Sequence, residues 1–366
     1  MKIVIKVGSS SVTSPDGTMN AAAIEKLSGE VKGLIESGHQ TLVVTSGSIA
    51  TGLKPFGFDR ETRPKDADQL RAASAIGQIS LMMTYQEKLA ELGLVAGQVL
   101  LAPTDFWFRN RYLKSRGTIL ALMDRGAIPV VNENDAVADE EIRFGDNDRL
   151  AALVAHLIDA DRLVLLTDTP GLFTADPRQD SSASLIEEIV EFDRRFEEMA
   201  GGTGSAMGSG GMASKLAAAK IATWSGVETV IAQADRLNVI GDAISPEASV
   251  GTTFRPRSGR LPARKLWIAF ALPASGQIVV DSGAREALEC RMKSLLAAGI
   301  RKVTGSFGVD SAVELSDESG EVFAKGLTRW TSSDIGSYAG LRTSDLHSEL
   351  NHEVIHRDDL VILPVG

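Results

Sequence analysis

The stretch Ile-Pro-Val-Val-Asn-Glu-Asn-Asp, residues 128–135, begins as an apolar run and ends in acids and amides. The β-branched residues up to Asn132 predict a short buried strand, and the polar residues after it predict a loop. Three other predicted strands also end in glycine, hydroxyl or acidic residues, at 3–7, 41–45 and 163–167. Parallel strands place their carboxyl ends along one sheet edge, where open α/β sheets bind ligands. One such segment alone also fits an ordinary tight turn, but four together predict a binding site.

Longer helical patterns alternate with these strands over the first ~240 residues. Helices are predicted at 21–37, 66–92, 111–125, 147–157 and 215–223, and further strands at 95–101 and 229–232. Strands that alternate with helices indicate a mainly parallel sheet that is covered on both faces. The predicted fold class is therefore α/β, an open, mainly parallel sheet sandwiched by helices.

A cluster of proline and arginine at 255–262 separates this pattern from a different one. The pattern beyond it predicts a helix at 284–298, short strands near 303 and at 312–315, 321–324 and 360–363, and a hairpin turn at 317–320. Short strands with tight turns are typical of a small, mostly β barrel. We therefore expect an α/β domain at 1–255, a linker at 256–262 and a β domain at 263–366.

The composition excludes several classes of protein. Of the 366 residues, 43% are hydrophobic and 23% are charged, as in ordinary globular proteins and unlike disordered chains. The 38 basic and 48 acidic residues give a net charge of −10, which disfavours nonspecific binding to nucleic acid. The one cysteine, Cys290, cannot form a disulfide within the chain and fits a reducing compartment. Because no apolar run approaches about 18 residues and the start is too short and charged for a signal peptide, we expect a cytoplasmic protein outside any membrane.

Residues 201–215 contain six glycines and run into a helix predicted to begin near Lys215. Backbone N–H groups at such a helix start bind phosphate, and Lys215 adds a positive charge. Lys6, just before Gly8 and three serines, offers a second lysine of this kind. The loop is not a Walker A motif, because Ser214 stands where glycine must precede the lysine, and it lacks the G-x-G-x-x-G of a dinucleotide site. A flexible surface loop of small residues is the alternative.

Acids and amides are concentrated in two short segments, residues 132–135 and 144–148. They could chelate a metal, although an EF-hand is excluded because its glycine and terminal Glu spacing is absent. They could instead capture a small zwitterion, with their oxygens receiving its ammonium group and amide N–H groups its carboxylate. Solvated acidic turns are the third possibility. The five histidines show no metal-ligand spacing and no nucleophile partner, so no metal-ligating residue is predicted.

Six segments together resemble the glutamate 5-kinases, a group within the amino-acid kinase family. They are residues 6–10, 44–50, 128–135, 144–148, 166–168 and 210–215, in the order of that family. Residues 281–284, 294–296, 305–307 and 354–360 resemble the PUA domain that many bacterial members carry at the C-terminus. The glycine-rich loop departs from the family at two positions, because Ser209 and Ser214 stand where threonine is usual. Serine keeps the hydroxyl group, so the expected role survives.

The resemblance implies ATP-dependent phosphorylation of the γ-carboxylate of L-glutamate, with Mg²⁺, as the first step of proline synthesis. It also implies feedback inhibition by proline, and we expect a homo-oligomer. The resemblance implies an ATP site, to which we add Gly8 because a backbone without a side chain can approach phosphate closely. The residues of this expected site are Lys6, Gly8, Thr167, Asp168, Ser209, Gly210, Gly211, Met212, Ala213, Ser214 and Lys215. It implies that Ser46, Asp135 and Asn147 bind glutamate.

The expected catalytic residues are Lys6, Lys215 and Asp168, with Asp168 orienting both lysines by ion pairing. A side-chain carboxylate is already ionised at neutral pH, so this reaction needs no general base, which agrees with the lack of a histidine base in the motifs. The remaining work is positioning and neutralisation of charge on the transferred phosphoryl group.

Three rival functions have different signatures. Other kinases of the same fold act on aspartate, N-acetylglutamate, carbamate or uridylate, and the two acidic-amide segments argue against them. An RNA-binding function through the PUA region is disfavoured, because residues 260–366 contain 12 basic and 14 acidic residues. A nicotinamide oxidoreductase would need the missing glycine fingerprint.

Overall fold

The computed structural model describes residues 1–14, 16–58, 62–137, 147–192, 196, 211–257, 261–345 and 352–363. The chain divides into two compact units, Met1–Arg260 and Leu261–Gly366. None of the described helices combines the length and the apolar character that crossing a bilayer requires.

The first unit is built on one eight-stranded sheet. Its strands are β1 (Lys2–Val7), β2 (Gln40–Val44), β3 (Val95–Leu101), β4 (Ala127–Glu133), β5 (Arg162–Thr167), β6 (Glu188–Ile189), β7 (Glu228–Gln233) and β8 (Thr252–Phe254). The strand order is β3-β4-β2-β1-β5-β7-β8-β6, and all neighbours pair parallel except β7 and β8, which are antiparallel. The predicted open, mainly parallel sheet is thus confirmed, although it continues through β8 rather than ending at Ala232 as the strand pattern indicated.

Helices cover both faces of this sheet. They are α1 (Ser9–Val12), α2 (Ala21–Glu36), α3 (Ser48–Leu53), α4 (Ala67–Glu91), α5 (Thr104–Trp107), α6 (Arg109–Asp124), α7 (Asn147–Leu157), α8 (Met212–Trp224) and α9 (Val239–Ile244). Ile3 and Ile5 of β1 join a core with α2 and α4. Val4 between them is also fully buried and points to the other face, where α7 packs against β1. Burial on both faces explains why the strand reads as a continuous apolar run.

Two of the long helices, α2 and α4, begin where the chain supplies a capping side chain. Asn20 accepts a hydrogen bond from the backbone N–H of Ala23 at 3.2 Å, and Asp66 accepts one from Gln69 at 3.0 Å. Each cap satisfies a backbone donor that the first helical turn leaves unpaired. The helices α2 and α4 therefore begin within one residue of the predicted positions.

The second unit is mostly β, as predicted. Its strands are β9 (Gly276–Val280), β10 (Leu295–Leu296), β11 (Ile300–Gly305), β12 (Ala312–Ser316), β13 (Val322–Leu327), β14 (Glu353–Ile355) and β15 (Leu360–Ile362), and its helices are α10 (Ala263–Leu266), α11 (Ser282–Glu289) and α12 (Ser332–Tyr338). One sheet has the order β11-β9-β12-β13-β15, and β10 pairs with β14. The helix predicted at 284–298 is wrong beyond Glu289, because Leu295 and Leu296 pair with β14 instead of continuing the helix.

Two glycines bring α3 and α4 into backbone contact beside the carboxyl edge of the sheet. A Cβ atom at Gly52 would lie 2.6 Å from the carbonyl carbon of Ala73 and 2.9 Å from the backbone nitrogen of Gly77. A Cβ at Gly77 would lie 2.6 Å from Thr51 Oγ1 and would overlap the Ser48 carbonyl. Because backbone atoms cannot swing aside, only glycine permits the two helices to approach this closely.

The substitution Gly52→Ala is therefore expected to lower the free energy of unfolding by about 3 kcal/mol or more, since it forces α3 and α4 apart. Urea unfolding followed by circular dichroism measures the change. The matched control is Gly33→Ala in α2, where no other part of the described structure places an atom within 4 Å of the new Cβ and alanine favours the helix. That control should be neutral or slightly stabilising. A Gly52→Ala protein as stable as the control would contradict the tight contact.

Candidate active site

A buried ion cluster joins three elements at the carboxyl edge of the sheet. It consists of Lys6 near the end of β1, Asp148 in the first turn of α7 and Lys215 in the first turn of α8. Lys6 Nζ pairs with Asp148 Oδ1, and Lys215 Nζ lies 3.0 Å from Asp148 Oδ2. The exposed fractions are 2% for Lys6, 0% for Asp148 and 3% for Lys215. One carboxylate therefore holds both ammonium groups, one on each oxygen.

Asp148 forms the ion pairs with both lysines that the sequence predicted for Asp168. Asp168 is exposed at the end of β5 and accepts a hydrogen bond from Thr167 Oγ1 at 3.0 Å. Within the described residues it forms no ion pair with Lys6 or Lys215, so its predicted role as their ion-pair partner is wrong. The physical reason is helix geometry, because the first turn of α7 brings Asp148 to both lysines while Asp168 stays at the solvent side.

The charge state of Asp148 depends on its two partners. Burial alone would raise its pKa, but attraction to Lys6 and Lys215 and their hydrogen bonds outweigh burial and hold the pKa below its ordinary value. The carboxylate therefore stays ionised throughout the neutral pH range. Ser214 Oγ adds a hydrogen bond to Asp148 Oδ2 at 2.9 Å, which ties the start of α8 to the start of α7.

The start of α8 fits a phosphate group. Gly211 is the N-cap residue, no described side chain caps the helix, and no described residue beyond its neighbours places an atom within 4 Å of the position that a Gly211 Cβ would take. Uncapped backbone N–H groups beside an open space and two lysines are the donors that an anion binds at a helix start. Met212, Ala213, Ser214 and Lys215 make up the first turn, three residues earlier than predicted. Ser209, Gly210 and residues 144–146 lie outside the described residues.

Gly8 lies between β1 and α1, next to the buried ion cluster. Among the described residues other than its two chain neighbours, the atoms within 4 Å of the position that a Gly8 Cβ would take are Lys6 Nζ at 3.8 Å and Ser10 Oγ at 3.9 Å. The backbone at Gly8 is thus close to the same ammonium group that pairs with Asp148. Thr167, buried at the end of the neighbouring strand β5, completes the predicted ATP residues that the structure describes.

Two serine hydroxyl groups hold Asp135 on the other side of this edge. Ser48 Oγ donates to Asp135 Oδ2 at 3.1 Å, and Ser74 Oγ donates to the same oxygen at 2.8 Å. Ser48 begins α3 and Ser74 lies on α4, so both helices fix one carboxylate. Ser46 lies half-buried just ahead of α3. Sequence reasoning predicted Asp135 and Ser46 but gave no role to Ser48, although it lies in the segment 44–50, or to Ser74, which lies outside all six segments.

A chain of amide groups places Asn147. Its Nδ2 donates to the carbonyl oxygen of Thr45 and, at 2.6 Å, to Asn132 Oδ1. Asn132 Nδ2 in turn donates to Gln78 Oε1 at 2.8 Å and to Ser48 Oγ at 3.4 Å. Both protons of Asn147 Nδ2 are thereby used by the protein, which leaves its Oδ1 as an acceptor. Asn147 and Asp148 are consecutive, so the start of α7 contacts the amide chain and the two lysines together.

The chain is similar to known proteins over nearly its whole length. The model of the amino acid kinase family matches residues 1–233, and that of the PUA domain matches residues 276–350. The chain belongs to the amino acid kinase family. Among its relatives are glutamate 5-kinases from Vibrio vulnificus, 44% identical over 99% of this chain and 96% of the relative, and from Paraburkholderia xenovorans, 42% identical over 99% and 98%. The resemblance to the glutamate 5-kinase group of this kinase family is thus confirmed.

Solved structures of two other kinases align with this chain at low sequence identity. UMP kinase from Bacillus anthracis aligns with a TM-score of 0.47 at 15% identity, over 70% of this chain and 96% of that one. An isopentenyl phosphate kinase aligns with a TM-score of 0.48 at 19% identity, over 69% and 100%.

Replacing Asp148 by asparagine should destabilise this amino acid kinase fold by about 3–5 kcal/mol at pH 7, because two buried lysines lose their shared countercharge. The folded pKa of Asp148 is depressed, so its stabilisation is present above the unfolded value of about 3.9 and is lost as pH falls through the lower folded value. The difference in unfolding free energy between the two proteins should therefore stay constant from pH 8 to pH 5. Urea unfolding at pH 8, 6.5 and 5 measures it, and a gap that closes by pH 5 would contradict the depressed pKa.

Proposed function

We propose that this protein transfers the γ-phosphoryl group of ATP to the γ-carboxylate of L-glutamate and forms glutamyl 5-phosphate. The observation that carries the proposal is the start of α7, where Asn147 belongs to the amide chain and Asp148 to the lysine cluster. A site for an amino acid and a site for phosphates thus meet at two consecutive residues. The full-length similarity to glutamate 5-kinases supports the choice of substrate.

The two lysines supply the electrostatic part of the reaction. As the phosphoryl group passes between two oxygens, negative charge is spread over its remaining oxygens. Lys6 and Lys215 approach that group from two different elements, and Asp148 keeps both side chains in place before the substrate arrives. Preorganised charges of this kind lower the barrier because they need no rearrangement during the reaction. The attacking γ-carboxylate is ionised at neutral pH, so no residue has to remove a proton from it.

Ser46, Asp135 and Asn147 bind the amino acid in this proposal. The Asp135 carboxylate and Asn147 Oδ1, which accepts no hydrogen bond from the described residues, accept hydrogen bonds from the α-ammonium group, and Ser46 contributes its hydroxyl. Gly8, Thr167, Asp168 and residues 209–215 bind ATP, with the backbone of Gly211 to Ser214 facing its phosphates. Asp168 contacts the nucleotide rather than the lysines.

Magnesium belongs to the nucleotide in this proposal. The described residues contain no cluster of three or more His, Cys, Asp or Glu side chains that could hold a metal. When bound with ATP, Mg²⁺ would neutralise charge on the β- and γ-phosphates.

The biological setting that we propose is the first step of proline synthesis in the cytoplasm, by a homo-oligomer. L-Proline shares the α-carboxylate and the amine of glutamate but lacks the γ-carboxylate. We propose that it inhibits by overlapping the glutamate site.

The experiment that tests the proposal is ADP release with L-glutamate, L-aspartate and N-acetylglutamate compared side by side. Only L-glutamate should give efficient turnover, and added L-proline should inhibit less as glutamate rises. Preference for another acceptor would indicate a different kinase of the same family. Proline inhibition that persists at saturating glutamate would contradict an overlapping site.

The two halves of the site should respond differently to substitution. Lys215→Ala should lower kcat by about 100-fold or more, since it removes a charge that stabilises the transition state. Asp135→Ala should instead raise the KM for glutamate much more than the KM for ATP. Steady-state kinetics with each substrate varied in turn measures both effects.

The matched control for the first variant is Lys220→Ala, the other lysine of α8, which should keep kcat within about twofold. A folded Lys215→Ala protein with near-normal kcat would exclude the proposed charge stabilisation. Equal rises of both KM values in Asp135→Ala would exclude the assignment of Asp135 to glutamate.

A further inference from the structure

Helix α4 presents two polar side chains, one turn apart, to the residues proposed to bind the amino acid. Ser74 donates a hydrogen bond to Asp135 Oδ2 at 2.8 Å, and Gln78 Oε1 accepts one from Asn132 Nδ2 at 2.8 Å. Both are buried, with exposed fractions of 4% and 9%. We propose that Ser74 and Gln78 are positioning residues that set the geometry of the amino-acid site. The inference rests on the proposed function, which it deepens by two residues.

The unpaired amide nitrogen of Gln78 indicates which of its contacts matters. Its Nε2 is buried and has no hydrogen-bond partner among the described residues. A buried unpaired donor destabilises a protein, whereas an apolar side chain of similar volume would not. The amide of Gln78 therefore does not stabilise the fold through Nε2, and the bond that it supplies is the one to Asn132.

That bond controls which way the Asn132 amide faces. Asn132 directs its NH₂ group to Gln78 and Ser48 and its Oδ1 to Asn147. Without the acceptor on Gln78, the amide can turn over and present NH₂ to the NH₂ of Asn147, where two donors would face each other. Asn147 would then rotate, and its Oδ1 would no longer be held toward the ammonium group of the substrate. Gln78 thus acts on the substrate through two intervening amides.

Ser74 performs the corresponding task for Asp135. It and Ser48 both donate to Oδ2, whereas Oδ1 accepts no hydrogen bond from the described residues. The two hydroxyl groups fix the plane of the carboxylate and leave Oδ1 to an ammonium group. Because Ser74 and Gln78 lie on the same face of one rigid helix, they hold Asp135 and Asn147 at a set separation.

The rival explanation is that the two residues only stabilise the contact between α3 and α4. Thr51 provides the matched control, because its Oγ1 lies in the same helix contact, 3.3 Å from the Gly77 carbonyl oxygen, but touches neither Asp135 nor Asn132. Thr51→Val keeps the volume and removes this hydrogen bond, together with those to the carbonyl oxygens of Gly47 at 2.9 Å and Ser48 at 3.1 Å. A role limited to packing would make all three variants behave alike.

The test measures KM for glutamate, KM for ATP, kcat and urea unfolding for Ser74→Ala, Gln78→Met and Thr51→Val in the full-length chain. We expect Ser74→Ala and Gln78→Met to raise the glutamate KM about 3- to 10-fold each, the effect of one lost hydrogen bond, with the ATP KM within about twofold. Ser74→Thr keeps the hydroxyl and should restore a near-normal glutamate KM. Thr51→Val should lower stability without changing the glutamate KM.

The other possible results of these measurements contradict the proposed positioning role or the proposed function. Unchanged glutamate KM values in folded Ser74→Ala and Gln78→Met overturn the inference, as does a Thr51→Val protein that matches them in both KM values. If Gln78→Met does not fold, Gln78→Glu keeps the acceptor for Asn132 and should bind glutamate better than Gln78→Leu; equal binding overturns the role of Gln78. If the unsubstituted chain releases no ADP with glutamate, the proposed function itself fails, and this inference falls with it.

Discussion

The site depends on the ion cluster of Lys6, Asp148 and Lys215. These residues come from β1, α7 and α8, so the cluster ties together elements that are far apart in the chain. Taking three charges out of water is unfavourable, and their mutual attraction offsets this only when the geometry is good. The cluster is therefore better explained as an arrangement of charge for a ligand than as a source of stability. An anion that enters between the two lysines meets ammonium groups already stripped of water.

A peptide bond joins this cluster to the hydrogen-bonded amides of Asn147 and Asn132. Asn147 and Asp148 are neighbours in the chain, and their Cα atoms are therefore about 3.8 Å apart. Since every residue of α7 except Arg149 is buried, its first turn cannot shift without disturbing the core. A displacement of the lysines would thus move the amide chain as well. Phosphoryl transfer requires that donor and acceptor oxygens be held in line, and in the proposed function the shared buried helix turn would provide that constraint.

Much of the first unit could be predicted from the sequence, because its inner strands are continuous apolar runs and its helices end at clear signals. The catalytic role of Lys6 and Lys215 was predicted from the glycine-rich segments beside them, and it stays a prediction. Sequence reasoning assigned the ion-pairing role to Asp168, whereas the structure gives it to Asp148, because the sequence does not show the direction of a helix. Both are acids beside a glycine-rich or polar segment, and only the direction of α7 decides which one reaches the lysines. Strands β6 and β8 were missed because two or three residues are too few for a periodic pattern.

Ser74 and Gln78 were outside the reach of sequence reasoning for a different reason. On a long helix with apolar residues around it, a serine and a glutamine one turn apart look like part of a solvated face. They are buried because Gly52 and Gly77 allow α3 to lie directly on α4. That contact is possible only because glycine has no Cβ atom, which would overlap the facing backbone. Once buried, a polar side chain needs a partner, and the partners available are Asp135 and Asn132. The close helix contact and the orientation of the amino-acid site are therefore two consequences of the same pair of glycines.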